Sequence, residues 1–293
     1  MTPVWFITAA SSGFGHAIAL SALRRGHTVV ATARHPSRLA DLAAAGAHTL
    51  AYDVTSPLSV AKDLADKVFA QHGRVDYLIN AAGYILEGSI EEASPEEVLA
   101  SFDTNVFGAM RTIQAFLPHM RGQPVAENGA RGVVATFGSL GSWRGSPSAG
   151  VYAMTKWACS ALAETLALEL EPFGIKATVV EPGYFRTGFL NPSARVSTRA
   201  RLEAYEDEGT PTGRARKGLV KTDGRQLGDV DRGAEVVVDV LTGTGVASGR
   251  GLPVRVVLGS DAEGVVRGKM AETGKILDEW REVIRSTDAP LAE

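Results

Sequence analysis

The sequence predicts an α/β fold, a doubly wound parallel sheet of about seven strands with helices on both faces. Three observations carry this. Short apolar runs alternate with stretches of helical periodicity along nearly the whole chain. A glycine-containing turn joins the first run to the first helix, which is the order of a dinucleotide-binding unit. The 293 residues, 45% of them hydrophobic, allow one large core, so a single domain over residues 1–293 is expected.

The first strand, Val4 to Thr8, runs through AASSGFG into a helical pattern at Ile18, Leu20, Ala22 and Leu23 that Gly26 ends. Gly13 and Gly15 let the backbone approach a pyrophosphate, whose charge the amides at the helix start stabilise. A second strand, Thr28 to Ala33, ends in Arg34 and His35, without the Asp or Glu that holds ribose hydroxyls in folds that use NAD. A guanidinium there suits a ribose 2′-phosphate, which favours NADP(H) over NAD(H). The alternative is a solvated arginine at a strand end. The third strand, Ala47 to Tyr52, closes on Asp53 and Val54. Asp53 either accepts from an adenine amino group or caps local backbone, and its place at a strand's carboxyl end favours the adenine. Ser56 and Pro57 read as N-cap and first residue of a helix reaching His72.

Val75 to Ile79 forms the fourth strand and runs into Asn80-Ala81-Ala82-Gly83, a small-residue turn against which a bulky ring can lie. Ser94-Pro95-Glu96-Glu97 is a capping box that opens a long helix carrying Asn105 and stopping near Pro118. Asn105 is an amide among Val106, Phe107, Ala109 and Met110, so it needs hydrogen-bond partners, and a water-bound kink is the plain reading. The polar loop from Arg121 to Arg131 carries no legible chemistry. After the apolar run Val133 to Phe137, a helix is expected from about Tyr152 to Glu171, ended by Pro172 and Gly174, and Ile175 to Val180 is the sixth strand. Residues 184–228 lack clean periodicity and are rich in Arg, Lys, Glu and Gly, which suits a lid over a ligand or a solvated insertion. Asp229 starts a helix through Leu241, Val254 to Leu258 is the seventh strand, and residues 262–284 form a terminal helix.

A net charge of −3 with both signs interspersed gives no one-sided basic surface, which argues against a nucleic acid partner. The N-terminus enters a strand at once, and no window offers the roughly eighteen uncharged residues of a membrane span. A soluble, cytoplasmic protein without a membrane partner is expected. Cys159 is the only cysteine and falls among Ala and Leu on a helix, so core packing suits it better than a reactive role. The six histidines show no ligand spacing, and no metal is expected.

The stretch that organises the chain runs from Gly138 to Lys156, where Ser139, Tyr152 and Lys156 set a hydroxyl, a phenol and an ammonium at fixed offsets. On a helix, Tyr152 and Lys156 share a face, so the ammonium can lower the phenol's pKa from about 10. Ser139, at the end of a strand, can steady a substrate oxygen beside it. Tyr-x-x-x-Lys also occurs by chance, and only a nucleotide site elsewhere in the chain gives it meaning.

These residues resemble the short-chain dehydrogenase/reductase family, single-domain oxidoreductases with a Rossmann-like sheet, over nearly the whole chain. The family's T-G-x-x-x-G-x-G appears as Thr8-Ala9-Ala10-Ser11-Ser12-Gly13-Phe14-Gly15, its N-N-A-G as Asn80-Ala81-Ala82-Gly83, and its Tyr-x-x-x-Lys as Tyr152 to Lys156. Ser139 and Asn105 fall where the family's catalytic serine and asparagine fall, and Pro182-Gly183-Tyr184-Phe185-Arg186-Thr187 resembles its nicotinamide-contacting segment. Ala9 replaces the first glycine and Ala81 the second asparagine, changes of about a methyl group that remove no catalytic one.

The resemblance implies hydride transfer between NADP(H) and a small-molecule carbonyl or alcohol, with ketone or aldehyde reduction favoured. Tyr152 is then the general acid, Ser139 holds the substrate oxygen, Lys156 tunes Tyr152 and binds the nicotinamide ribose, and Asn105 holds a relay water. Ser12 is not the basic residue some NADP-using relatives carry, which leaves the 2′-phosphate to Arg34 and the Ser11 hydroxyl. Trp143, Tyr184 and Phe189 are the candidate pocket wall, which suggests a lipophilic cyclic or aromatic substrate. Relatives often form tetramers partly through the last strand, and the helix after it here suggests a dimer or monomer. Two other readings stand beside this one: a nucleotide-sensing binding protein on the same fold, and a lyase or dehalogenase on it. The intact Ser139, Tyr152 and Lys156 set argues against the first, and Gly13, Gly15, Asp53 and Asn80 argue against the second.

Overall fold

The computed structural model describes residues 2–126, 129–191 and 195–289. Its strands are β1 Val4–Ile7, β2 Thr28–Ala33, β3 His48–Ala51, β4 Tyr77–Asn80, β5 Leu86–Glu87, β6 Gly132–Phe137, β7 Ile175–Pro182, β8 Val196–Ser197 and β9 Arg255–Leu258. Its α-helices are α1 Gly13–Arg24, α2 Ala40–Ala44, α3 Leu58–His72, α4 Pro95–Phe102, α5 Gly108–Gly122, α6 Gly150–Leu170, α7 Pro211–Thr222, α8 Val230–Thr242, α9 Ser260–Glu279 and α10 Arg281–Arg285.

Seven parallel strands form one sheet in the order β3-β2-β1-β4-β6-β7-β9, and β5 pairs with β8 in a separate two-stranded sheet. The central strands β1, β4 and β6 are buried along their whole length, as a parallel sheet covered on both faces requires. On one face α1 and α8 pack through Ile18, Ala22, Val237 and Leu241; on the other α3, α5 and α6 pack through Leu64, Phe116 and Leu166. The strand order reverses between β1 and β4, so the crevice at their carboxyl ends is where such a sheet receives a ligand.

Several expectations are corrected by packing. Pro57, not Ser56, stands at the cap of α3, which begins at Leu58 with no side-chain cap bond, because Asp53 to Ser56 already close a turn. The helix carrying Asn105 does not stop at Pro118. It widens into a π-turn at Asp103–Phe107 and continues as α5 to Gly122, since buried Phe116 and Met120 outweigh the one hydrogen bond that proline removes. Residues 184–228 are not without periodicity: α7 lies within them, capped by the Thr210 hydroxyl accepting from Gly213 N. Part of that stretch, 192–194, and residues 127 and 128 of the 121–131 loop, lie outside the described residues. The terminal helix packs on the last strand at its start, breaks at Trp280, and is exposed over residues 271–289.

Candidate active site

A cavity of about 800 Å³ opens at the carboxyl ends of β1, β2, β4, β6 and β7. At one end lie Arg34, Arg38 and Asp53; in the middle are the 11–15 turn, the 81–83 turn and Lys156; at the other end stand Tyr152, Tyr184, Phe189, Leu190, Val196 and Leu219. Among the described residues its charged lining is Arg34, Arg38, Asp53 and Lys156, so the far end carries no charge.

The glycine turn is fixed by hydrogen bonds and by glycine's lack of a side chain. The Thr8 hydroxyl accepts from Ala81 N at 3.0 Å and Ala82 N at 3.3 Å, which ties the first turn to the turn after β4. Gly13 sits at φ +57°, and a Cβ on Gly15 would lie 2.8 Å from the Ala9 carbonyl oxygen. Ala9, where the family pattern has glycine, is held at φ +50°, a left-handed conformation that costs an L-residue about 1–2 kcal/mol. Phe14 and Phe185 meet edge to face at 5.0 Å, and Phe14 lies 5.5 Å from Phe137, which seats the turn on the ends of β6 and β7. Gly183 admits no side chain because Asp261 Oδ1 would be 2.1 Å from its Cβ, and that carboxylate's Oδ2 accepts from Tyr184 N at 2.7 Å. Pro182, Gly183, Phe185 and Thr187 all line the cavity, as do Ser11, Ser12, Val54, Ala81 and Gly83.

Asp53 also lines it, while its Oδ1 accepts from Thr55 N and the Thr55 hydroxyl, so the local cap expected as the alternative is present. Asn80 and Asn105 stand behind the wall. Asn80 Nδ2 donates to Ala135 O at 3.4 Å, and its buried Oδ1 has no partner among the described residues. Asn105 clamps the main chain at Tyr84, accepting from its N–H and donating to its carbonyl at 3.0 Å each, and also donates to the Thr155 hydroxyl. Both donors of its amide are therefore engaged, and its main-chain carbonyl accepts from the Cys159 thiol.

Ser139, Tyr152 and Lys156 come together as their spacing predicts. The Ser139 hydroxyl stands close enough to the Tyr152 phenol to lower its pKa, and Lys156 Nζ lies 5.5 Å from the Tyr152 ring centre. The ammonium donates to Phe137 O at 2.7 Å and is buried, which pulls its pKa below the ordinary value. Burial pushes the Tyr152 phenol above its ordinary value, opposed only by the nearby Ser139 hydroxyl. The expected lowering by Lys156 is thus not the dominant effect here, and the phenol is held protonated. Gly83 packs close to Asn105: a Cβ there would lie 3.2 Å from its Oδ1 and 3.5 Å from Lys156 Nζ.

Trp143 is not a pocket wall. Its indole N–H donates to Glu181 Oε2 at 2.8 Å and its ring stacks under the Arg255 guanidinium at 4.4 Å, because the buried Glu181 carboxylate needs partners. Tyr184 and Phe189 do line the cavity, the Phe189 ring 5.8 Å from that of Tyr152. Sequence reading missed Arg38, Tyr84, Leu190, Val196 and Leu219. Arg38, four residues after Arg34, carried a usable signal; the others stand in stretches whose fold is set by distant contacts. Among the described residues no group of three or more His, Cys, Asp or Glu side chains could hold a metal, and no helix is long and apolar enough to cross a membrane.

The cavity's donors suit a nicotinamide dinucleotide: cations at one end, main-chain amides of the glycine turn in the middle and a buried ammonium beside the phenol. A family model for short chain dehydrogenases matches residues 3–196. The chain is 33% identical to the oxidoreductase BOA17 of Botryotinia fuckeliana, covering 97% of this chain and 98% of that one. It is 37% identical to a 3-ketodihydrosphingosine reductase of Bacteroides thetaiotaomicron, over 69% of this chain and 71% of the relative. The crystal structure of a short-chain dehydrogenase from Streptomyces avermitilis superposes with a TM-score of 0.85 at 36% identity, covering 99% and 100% of the two chains. Other solved structures similar to this chain hold NADP-type cofactors in some cases and NAD in another. The chain belongs to the short-chain dehydrogenase/reductase family.

Proposed function

We propose that the protein is an NADPH-dependent reductase of neutral, lipophilic ketones or aldehydes. The observation that carries this is the gathering of Ser139, Tyr152 and Lys156 on the wall of one cavity, between a cationic end and an end without charged side chains. NADPH, when bound, supplies the hydride. Arg34 and Arg38 hold its 2′-phosphate, the amides of residues 11–15 its pyrophosphate, and Lys156 its nicotinamide ribose. Pro182, Gly183 and Thr187 orient the nicotinamide. Ser139 positions the substrate oxygen, and Tyr152, kept protonated by burial, gives that oxygen its proton.

The apolar end favours a substrate without charge, since an unpaired carboxylate or phosphate there would be desolvated with nothing to compensate it. The Bacteroides relative is named a 3-ketodihydrosphingosine reductase, which supports a lipophilic ketone as substrate but not the absence of charge. The test is NADPH oxidation by the purified protein against a panel of neutral ketones, aldehydes and quinones, with charged keto acids beside them. Turnover of the neutral bulky carbonyls is expected. A protein that binds NADPH yet oxidises it with none of them is a nucleotide-binding module instead.

A further inference from the structure

Two buried carboxylates outside the catalytic group, Glu87 at 3% and Glu92 at 2% exposure, face the segment that closes the apolar end of the cavity. Glu87 accepts from both terminal nitrogens of Arg201, at 3.0 and 2.7 Å, and from the Ser197 hydroxyl at 2.8 Å. Glu92 accepts from Leu202 N at 2.9 Å. Arg216, on α7, joins both: its Nε donates to Glu87 at 2.9 Å, one terminal nitrogen to Glu92, and the other to Glu206 at 2.7 Å. Three residues further on, and so on the same side of the helix, Leu219 lines the cavity. Val196, opposite Leu86 across the β5–β8 pair, lines it too.

We propose that Arg216 is a positioning residue for the substrate end of the cavity, seating α7 so that Leu219 closes it. The inference rests on the reductase reading for its kinetic part only. A flat guanidinium can meet three carboxylates in one plane, whereas an ammonium on a flexible stem cannot hold that geometry. The segment therefore owes its place to ion pairs as well as to apolar packing, and removing the arginine leaves two buried carboxylates short of a partner.

The experiment compares wild type with Arg216→Ala and the milder Arg216→Lys. It measures KM and kcat for a bulky cyclic ketone and a small aldehyde, the Kd of NADPH, and cleavage by thermolysin. For both variants the account expects the bulky ketone's KM to rise about tenfold or more, with its kcat and the small aldehyde's kinetics little changed. NADPH affinity stays as it was, and new cleavage appears within residues 195–225. Unchanged KM and cleavage overturn the proposal, and so does a parallel loss of NADPH binding and activity, which marks a general folding role. A wild type that binds NADPH but reduces no carbonyl sinks the reductase reading, and the cleavage pattern then decides the role of Arg216 by itself.

Discussion

From Arg34 to the 11–15 turn the cavity is shaped by strand ends, a glycine turn and a threonine cap; at the end nearest Leu219 it is shaped by side chains on a segment held by buried ions. The geometry of the first end follows from local sequence, and under the reductase reading it receives the cofactor. The second end receives the substrate under that reading, and long-range pairs such as Glu87–Arg216 hold it in place. A substitution at the first end should alter cofactor binding with any substrate, while one at the second should alter substrate choice with the same cofactor.

The largest expected effect lies where the two ends meet. Tyr152→Phe removes only the phenolic hydroxyl and should lower turnover by roughly 10²- to 10⁴-fold while NADPH affinity stays within about threefold. Fluorescence titration beside steady-state rates checks it, and an equal loss of both would make the tyrosine structural.

Next comes the cationic end. Arg34→Ala should raise KM for NADPH by about tenfold, the lower limit of a charge-assisted hydrogen bond worth about 1.5–3 kcal/mol, and leave KM for NADH nearly unchanged. Arg38 lines the same end of the cavity, so the double variant should lose more than either alone and should bind NADPH with weaker salt dependence. A wild type that prefers NADH would remove the cofactor assignment.

A smaller effect should appear at the ion-held end as pH falls. Burial alone would raise Glu87, but Arg201, Ser197 and Arg216 outweigh it and hold its carboxyl at about 2, below the ordinary 4.5. A depressed folded-state pKa contributes stability that is full above 4.5 and is lost as pH falls from there toward 2. The gap in unfolding temperature between wild type and Glu87→Gln should therefore be widest near neutral pH and narrow below 4.5 in calorimetry. A constant gap would mean that the carboxylate's charge does not matter.

The smallest effect belongs to the glycine turn. Ala9→Gly removes a left-handed alanine but frees the unfolded chain, so a net gain of about 0.5–1 kcal/mol is expected, roughly 2 °C in melting temperature. A loss of stability would show that the alanine methyl packs well enough to repay its strain.

The same contrast explains what the sequence made legible. Seven parallel strands, the glycine turn and the Ser139, Tyr152 and Lys156 group follow from period, turn chemistry and short spacings, and they stand together as expected. Trp143 was misread because an aromatic beside a catalytic serine looks like a pocket wall until the buried Glu181, 38 residues away, is seen to need its N–H. Pro118 misled because local propensity gives no weight to the burial of Phe116 and Met120. Asn105 was marked as needing partners, but that it grips the Tyr84 main chain depends on a separation of 21 residues that no pattern encodes. The role of α7 depends on Glu87 and Glu92, more than a hundred residues earlier in the chain.

The central claim is tested most directly by isotope transfer. NADPH carrying deuterium at C4 of the nicotinamide is mixed with wild-type protein and a bulky neutral ketone that it turns over, and the product alcohol is analysed by mass spectrometry. The account predicts one deuterium on the carbinol carbon in wild type and almost no labelled product with Tyr152→Phe. Alcohol formed without the label, or equal labelling in the variant, would contradict it.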